Sequence, residues 1–260
     1  MTTAVAGDVR LAYDVRGTGE PVLLIQGLGY GRTGWGPLPE RLARSYTVVT
    51  FDNRGFGDSD KPPGPYTARE LAADAVAVLD AVGLERAHVI GASLGGMVAQ
   101  QLALAVPERV EKLVLVCTTP GGEESFPMPE QTVKLFAHAQ TLEPLDALRR
   151  FVVNALSPNA SDELVEEVFR YRVANPPDPA GWQAQAAAGP THDVLERLSS
   201  LTMPTLVVHG TADNVVDYRN AQVIAERIPN PRLELIDGAG HLLFWEHADR
   251  VGALIEEFLA

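Results

Sequence analysis

Cysteine is almost absent from this chain of 260 residues, because Cys117 is the only one. A single cysteine excludes any disulfide within the chain, which is typical of proteins that work in reducing compartments. Cys117 ends the apolar run at residues 113–117, and this context favours buried packing of the thiol over a catalytic role.

Positive charge is also scarce. The chain has 21 Lys and Arg against 34 Asp and Glu, which gives a formal net charge of −13. Phosphate backbones and anionic membrane surfaces attract basic proteins, so this composition argues against nucleic acid and membrane surfaces as partners. We interpret the acidic surface as one that favours solubility.

Long apolar runs are missing as well. A membrane-spanning helix needs about 18 or more consecutive apolar residues, and the chain has no such stretch. Its first residues lack the basic start and the long apolar core of a signal peptide. Hydrophobic residues still make up 46% of the chain, which is enough for a sizeable core. We therefore expect a cytoplasmic globular protein.

The chain does contain a series of short runs that are apolar throughout. Strands buried on both faces of a parallel sheet have this pattern, whereas residues 9–15 alternate as an antiparallel edge strand would. Helical stretches separate the runs, such as residues 68–82, with Thr67 and Glu70 placed for a capping box and Gly83 at the end. This alternation predicts a doubly wound α/β sheet. The predicted buried strands are residues 22–25, 46–51, 88–90, 113–116 and 205–208, and residues 232–236 are predicted as the last strand.

One long segment breaks the alternation. Residues 121–190 contain no convincing strand, and proline-rich stretches at 126–129 and 175–179 divide them. We predict a helical cap over the carboxyl edge of the sheet, with a core built from residues 1–120 and 191–260. An extra helical layer packed elsewhere is the alternative. The helical patterns are residues 131–140, 145–156, 162–173 and 181–188.

Ser93 lies between two glycines in the sequence Gly-Ala-Ser-Leu-Gly at residues 91–95. An apolar run precedes it and a helix-like run follows it, which is the strand–turn–helix context of a nucleophile elbow. Such a tight turn excludes bulky side chains two residues before and after the serine, and glycine satisfies this requirement. The pattern alone is weak, so its meaning depends on a base and an acid elsewhere in the chain.

His241 is the candidate base among six histidines. It ends a glycine-containing loop at residues 238–241, directly after the last predicted strand, and therefore at the same sheet edge as Ser93. His88 and His209 lie in strand-like runs and are interpreted as core or edge residues. His192 is the alternative base.

Asp213 is the candidate acid that would orient the base. It follows the predicted strand at residues 205–208 in a loop at the same edge of the sheet. Asp217 is the alternative, although its position favours capping of the helix that begins near Tyr218.

Backbone N–H groups that stabilise an oxyanion are expected in two places. The first is the N–H of Leu94, the residue directly after Ser93 in the elbow. The N–H of Leu28 is the second candidate, because the glycines at 27, 29 and 31 let the loop after the first buried strand turn inward.

These segments together resemble the α/β-hydrolase superfamily. The similar segments are residues 26–29, 51–59, 91–96, 209–213 and 240–241, in the order Ser, Asp, His. The resemblance implies a mostly parallel eight-stranded sheet flanked by helices, with a helical cap after the sixth strand. It implies a structural role for residues 52–59 near the site. One departure is Gln26, where many members have a histidine that holds the oxyanion loop, and glutamine can also donate and accept hydrogen bonds.

A serine nucleophile makes acyl transfer to water the leading reaction, since dehalogenases and epoxide hydrolases of this family generally use aspartate. We expect a serine hydrolase of a small-molecule carboxylic ester or lactone that needs no metal and no organic cofactor. The sequence has no zinc motif of the H-E-x-x-H type. Monomer and homodimer both remain open. Aromatic candidates for the substrate pocket are Trp35, Phe136, Trp182 and Phe244, for which packing within the cap or core is the alternative.

Four other activities stay open at this point. Three are enzymatic: a 3-oxoadipate enol-lactonase-like reaction, carbon–carbon bond hydrolysis of a diketone, and a cofactor-free perhydrolase or haloperoxidase-like reaction. The fourth is a ligand-binding receptor on the same fold. An enol-lactonase would need cations for a dicarboxylate, and the candidates are Arg149, Arg150, Arg170 and Arg172 if they point inward.

Overall fold

Eight strands form one sheet in the computed structural model, which describes residues 2–139 and 141–260. In chain order they are β1 (Thr2–Ala6), β2 (Val9–Arg16), β3 (Glu20–Ile25), β4 (Tyr46–Phe51), β5 (Ala87–Ala92), β6 (Val110–Val116), β7 (Thr205–Gly210) and β8 (Arg232–Ile236). Their spatial order is β1-β2-β4-β3-β5-β6-β7-β8. Strand β2 runs antiparallel to both of its neighbours, and all other neighbouring pairs are parallel. The predicted mostly parallel sheet is confirmed.

Strand β2 is not at the edge of the sheet, so that prediction is wrong. Strand β1 pairs along it, with Ala4 opposite Leu11, and both side chains are buried. Three consecutive residues of β2 (Leu11, Ala12 and Tyr13) are buried, so the middle of the strand is covered on both faces. Strand β1 is short and mostly exposed, so it lacks the continuous apolar run by which the sequence predicts the buried strands.

The helices cover both faces of the sheet. In β3, Leu23 and Ile25 contribute to the core on one face, and Val22 and Leu24 contribute to the core on the other. No helix in the described part of the chain is long and apolar enough to cross a membrane. The helices are α1 (Leu38–Leu42), α2 (Ala68–Val82), α3 (Leu94–Ala105), α4 (Glu130–Ala139), α5 (Pro144–Ala155), α6 (Asp162–Ala174), α7 (Pro179–Ala186), α8 (Ala188–Thr191), α9 (Arg219–Arg227), α10 (Leu243–Glu246) and α11 (Ala248–Leu259).

Helix α2 begins and ends as its sequence predicts. The Thr67 side chain accepts a hydrogen bond from the Glu70 N–H at 3.2 Å, and the Glu70 carboxylate accepts one from the Thr67 N–H at 2.8 Å. Gly83 ends the helix in the left-handed conformation, with φ 78°. The capping box is therefore confirmed.

Helices α4 to α8 all lie between β6 and β7. A backbone bridge between Gly121 and Asp193 brings the two ends of this segment together. The segment contacts loops at the carboxyl edge of the sheet, since the Ala155 carbonyl accepts a hydrogen bond from the His241 N–H. We call residues 121–190 the cap. The sequence predicts the first cap helix over residues 131–140, and Gln140 lies outside the described residues.

Candidate active site

Ser93 occupies a sharp turn between β5 and α3. Its φ is 55°, a left-handed conformation that non-glycine residues rarely adopt and that stores about 1–3 kcal/mol of strain. The two flanking glycines explain how the turn closes: a Cβ at Gly91 would collide with the Gly95 carbonyl, and one at Gly95 would collide with the Ile25 carbonyl. The backbone around the serine is thus as tight as a nucleophile elbow requires.

The end of β6 and the residues just after it hold the backbone of Ser93. Its N–H donates to the Val116 carbonyl at 2.9 Å, and its carbonyl accepts from the Thr118 hydroxyl at 2.8 Å. The Ser93 hydroxyl faces the loop after β3, because a Cβ at Gly27 would lie 3.5 Å from Ser93 Oγ. The elbow therefore presents the hydroxyl directly to the loop expected to supply an oxyanion donor.

Asp213 and His241 form a buried hydrogen-bonded pair. His241 Nδ1 lies 2.7 Å from Asp213 Oδ2, and the carboxylate side chain is fully buried. Burial alone would raise the pKa of Asp213, but the nearby His241 charge and hydrogen bonds from His209 and His241 lower it well below the usual range. An ionised carboxylate at this position favours the His241 tautomer with a proton on Nδ1, which leaves Nε2 free to accept a proton.

His209 is a second histidine on the same carboxylate, and the sequence interpretation missed this contact. His209 Nε2 lies 3.0 Å from Asp213 Oδ2 and 3.1 Å from the Val216 carbonyl oxygen. A carbonyl only accepts, so Nε2 of His209 carries a proton and donates to both groups. The N–H groups of Val215 and Val216 donate to the other carboxylate oxygen at 2.7 and 2.9 Å.

Cys117 also lies against this carboxylate. The ligand atoms of Cys117, His209 and Asp213 lie within 4.8 Å of one another, and all three residues are buried. Burial, together with the charge of Asp213, raises the pKa of the Cys117 thiol. A metal would need the thiolate, which this environment disfavours, so the group fits a hydrogen-bond network around Asp213 better than a metal site.

The loop after β3 carries the first candidate oxyanion donor. The N–H of Leu28 has no hydrogen-bond partner among the described residues, and the N–H of Leu94 opens α3 without one. Gln26 fixes this loop: its Nε2 donates to the Gly34 carbonyl at 2.8 Å, and its Oε1 accepts from the Gly27 N–H at 2.7 Å. The glutamine therefore holds the loop through both functions of its amide, as expected for a replacement of histidine.

The loop that carries His241 is attached to the cap. The His241 N–H donates to the Ala155 carbonyl at 2.8 Å, at the end of α5. The preceding Gly240 N–H donates to Glu246 Oε2 at 2.8 Å, and the Glu246 carboxylate also accepts from the Ser157 N–H. Glu246 thus bridges the His241 loop and the residues that follow α5.

The alternative acid and base lie apart from this pair. Asp217 accepts from the N–H and Nε of Arg219, both at 2.9 Å, which lowers its pKa and places it at the start of α9. His192 is buried beside Gly121, and neither of its ring nitrogens has a partner among the described residues. Burial lowers the pKa of His192 to about 4.

The four aromatic candidates for the substrate pocket fall into two pairs. Trp35 is fully buried, and its ring centroid lies 5.0 Å from that of the buried Phe244, so these two belong to the packed core. Their assignment to the pocket wall is corrected, because apolar side chains near a loop can fill the core as readily as a pocket. Phe136 and Trp182 are half-buried in the cap with centroids 6.1 Å apart.

Comparisons with known proteins show the family of this chain. Residues 20–248 match the model of a family described as the alpha/beta hydrolase fold. A 2-hydroxy-6-oxononadienedioate/2-hydroxy-6-oxononatrienedioate hydrolase from Pseudomonas putida is 35% identical, over 97% of this chain and 92% of its own length.

Two solved structures show the same fold at lower identity. The enol-lactonase from Burkholderia xenovorans LB400 has a TM-score of 0.86 and 25% identity, and the match covers 99% of each chain. A thermophilic esterase from Thermogutta terrifontis has a TM-score of 0.84 and 27% identity, with 99% of this chain and 97% of that chain covered.

Proposed function

Because this chain belongs to the alpha/beta hydrolase fold family, we propose that it is a serine hydrolase that cleaves a carboxylic ester or a lactone. The observation that carries the proposal is the buried contact of 2.7 Å between His241 Nδ1 and Asp213 Oδ2, in a chain whose Ser93 occupies a strained elbow. An ionised acid that orients a histidine is the arrangement that activates a serine hydroxyl.

The first half of the reaction forms an acyl-enzyme. His241 Nε2 takes the proton from Ser93 Oγ as the oxygen attacks the substrate carbonyl carbon. The negative charge that develops on the carbonyl oxygen is stabilised by the N–H groups of Leu28 and Leu94. His241 then donates the proton to the leaving alkoxide, and the carbon–oxygen bond breaks. With a lactone, the alcohol formed stays attached to the acyl group.

The second half releases the acid. Water attacks the acyl carbon while His241 takes one of its protons, and the same two N–H groups stabilise the second tetrahedral intermediate. Collapse returns the proton to Ser93 Oγ. Neither half requires a metal or an organic cofactor, since the nucleophile, base and oxyanion donors are all part of the chain.

Carbon–carbon bond hydrolysis is the second candidate. It is favoured by the 35% identity, over 97% of the chain, to the Pseudomonas putida hydrolase of 2-hydroxy-6-oxononadienedioate. The same Ser, Asp and His would serve, but the leaving group would be a carbanion-like enolate instead of an alkoxide. Spectral loss of a vinylogous diketone would reveal this activity.

Labelling with a fluorophosphonate tests the serine hydrolase directly. We expect wild type and Ser199→Ala, which changes an exposed serine, to react with the probe and to hydrolyse p-nitrophenyl acetate. We expect Ser93→Ala to do neither. Equal labelling of wild type and Ser93→Ala would refute the assignment, and a folded wild type that neither labels nor hydrolyses would favour a binding protein.

A panel of substrates would then separate the reaction classes. Esters and lactones of graded acyl size, a vinylogous diketone, and a carboxylic acid with hydrogen peroxide report on ester hydrolysis, carbon–carbon cleavage and perhydrolysis respectively. Ester or lactone turnover well above the other two rates supports the proposal. A dominant diketone rate would replace it with the second candidate.

A further inference from the structure

Two N–H donors of the cap lie beside the oxyanion loop. A Cβ built at Gly29, the residue after Leu28, would lie 3.4 Å from Arg172 Nη2 and 3.2 Å from Trp182 Nε1. The Arg172 guanidinium also lies over the ring of Tyr30, 4.3 Å from its centroid. A cation and an indole N–H therefore meet one residue away from a proposed oxyanion donor.

Neither donor is satisfied within the described part of the protein. Arg172 forms no ion pair there, and its Nε is buried without a hydrogen-bond partner. The indole of Trp182 is half-buried, and no described residue accepts a hydrogen bond from its Nε1. Two other cap cations are neutralised at the surface: Lys134 pairs with Glu130 at 2.7 Å, and Arg149 pairs with Glu166 at 2.5 Å. The ring of Tyr30 attracts the charge of Arg172 but leaves its N–H groups without acceptors.

The chemistry of the two side chains defines what would satisfy them. Guanidinium and indole N–H groups donate and never accept, so the partner is an acceptor. A half-buried positive charge favours an acceptor that is negatively charged. The planar guanidinium matches a carboxylate, which can accept two hydrogen bonds from it at once.

We propose that Arg172 and Trp182 form a subsite for a second carboxylate on the acyl part of the substrate. The preferred substrate would then be an ester or lactone of a dicarboxylic acid. This inference rests on the proposed hydrolase function and narrows its substrate class. Arg172 alone fulfils the condition that a cap arginine points inward, since Arg149 and Arg170 contact Glu166 and Arg150 is exposed.

Hydrolysis of two matched esters tests the subsite. Mono-p-nitrophenyl glutarate carries the carboxylate, and p-nitrophenyl pentanoate has the same acyl length without it. We expect Arg172→Met to lower kcat/KM for the glutarate ester about 30-fold and to change that for the pentanoate ester less than threefold, because only a charged hydrogen bond is lost. Arg149→Met, which changes an arginine paired at the surface, is the matched control and should alter neither value.

Two further variants separate recognition from packing. Trp182→Phe keeps an aromatic ring but removes the N–H, and should raise KM for the glutarate ester alone. Arg172→Lys keeps the positive charge but loses the planar pair of N–H donors. Its kcat/KM for the glutarate ester should lie between those of wild type and Arg172→Met. Equal losses on both esters in Arg172→Met would assign Arg172 to packing of the cap on Tyr30 and overturn the subsite.

Binding provides a readout that is independent of turnover. At fixed ionic strength, glutarate should raise the melting temperature of the wild type and of Ser93→Ala, whereas pentanoate should raise it less, and Arg172→Met should abolish the difference. Absence of that difference in a wild type that hydrolyses both esters would overturn the subsite and leave the hydrolase intact. Glutarate binding without any hydrolysis would refute the hydrolase and leave the subsite.

Discussion

In the sheet core the side chains of Leu23 and Val89 are fully buried, whereas in the cap Leu145 and Val153 leave 58% and 52% of their surface exposed. Helix α3 buries eight residues, but α6 buries only Val168. The residues proposed for the chemistry belong to the core and its loops, and those proposed for substrate selection belong to the cap. The protein thus combines a tightly enclosed catalytic frame with a cap that leaves more of its apolar side chains exposed.

Replacement of Asp213 by Asn should have the largest effect on activity. The amide cannot stabilise the positive form of His241 and favours the wrong tautomer, so turnover should fall about ten-thousand-fold in a protein that still folds. Steady-state kinetics on p-nitrophenyl acetate would measure it. The turnover of the matched variant Asp217→Asn should stay within a factor of three of wild type. A large loss in Asp217→Asn and a small one in Asp213→Asn would assign the role of the acid to Asp217.

Leu23→Ala should strongly destabilise the core. The side chain is fully buried, and loss of it leaves a cavity that costs about 2–5 kcal/mol of the free energy of unfolding. Urea unfolding followed by tryptophan fluorescence would measure the change. A loss of unfolding free energy below 1 kcal/mol would show that the core around Leu23 is not tightly packed.

His192, at the junction of core and cap, should make the stability depend on pH. Its pKa is lowered from 6.5 to about 4 in the folded protein, so between these values the unfolded chain binds a proton that the folded chain does not. The free energy of unfolding should therefore fall by as much as about 3 kcal/mol as the pH drops through this window.

A variant isolates this contribution. His192→Phe has no titrating group, so the difference in unfolding free energy between wild type and variant should vary between pH 6.5 and 4. A difference that is constant over this range would contradict burial of a neutral His192. Groups that titrate elsewhere cancel in the difference.

His209 should contribute a smaller, indirect effect on turnover. His209→Phe removes the donor to Asp213 Oδ2 and leaves the Val216 carbonyl unpaired, so kcat should fall about tenfold, as expected for loss of one charged hydrogen bond. His209→Gln offers a new N–H donor and should recover most of the rate. Equal rates for the two variants would show that His209 only fills space.

Leu145→Ala should have the smallest effect. This is the same substitution as Leu23→Ala, but the side chain is mostly exposed, so the free energy of unfolding should change by less than about 0.5 kcal/mol. A larger loss, measured in the same urea titration, would mean that this face of the cap is buried in solution.

Local patterns in the sequence predicted most of the frame. These local features are the capping box of α2, the buried strands and the glycines around Ser93. Each depends on residues close together in the chain, so its pattern can be read from the sequence before the tertiary contacts are known. The sequence missed β1, because this short strand is mostly exposed and has no continuous apolar run. It also missed the role of His209, because a histidine in a strand looks the same whether its ring meets a carboxylate or the core.

Assignment of the aromatic residues failed for a related reason. Trp35 and Phe244 pack against each other at a tilt inside the core, whereas Phe136 and Trp182 remain half-buried in the cap. Nothing in composition or spacing distinguishes these two outcomes. The first depends on how the chain turns after β3 and after β8, and the second depends on how the helices of the cap pack. The position of Arg172 likewise cannot be predicted from the sequence, because it depends on how the cap packs on the loop at Gly29.

The hydrogen bond from the His241 N–H to the Ala155 carbonyl places a constraint on how this protein can diversify. A cap from a related enzyme could bring new substrate contacts, but it would have to present a carbonyl where α5 now ends or the proposed base would lose an anchor. Chimeras that preserve residues 155–157 should therefore have higher turnover than chimeras whose junction falls within these residues. In this fold, a change of cap that alters specificity would also have to keep the last turn of α5.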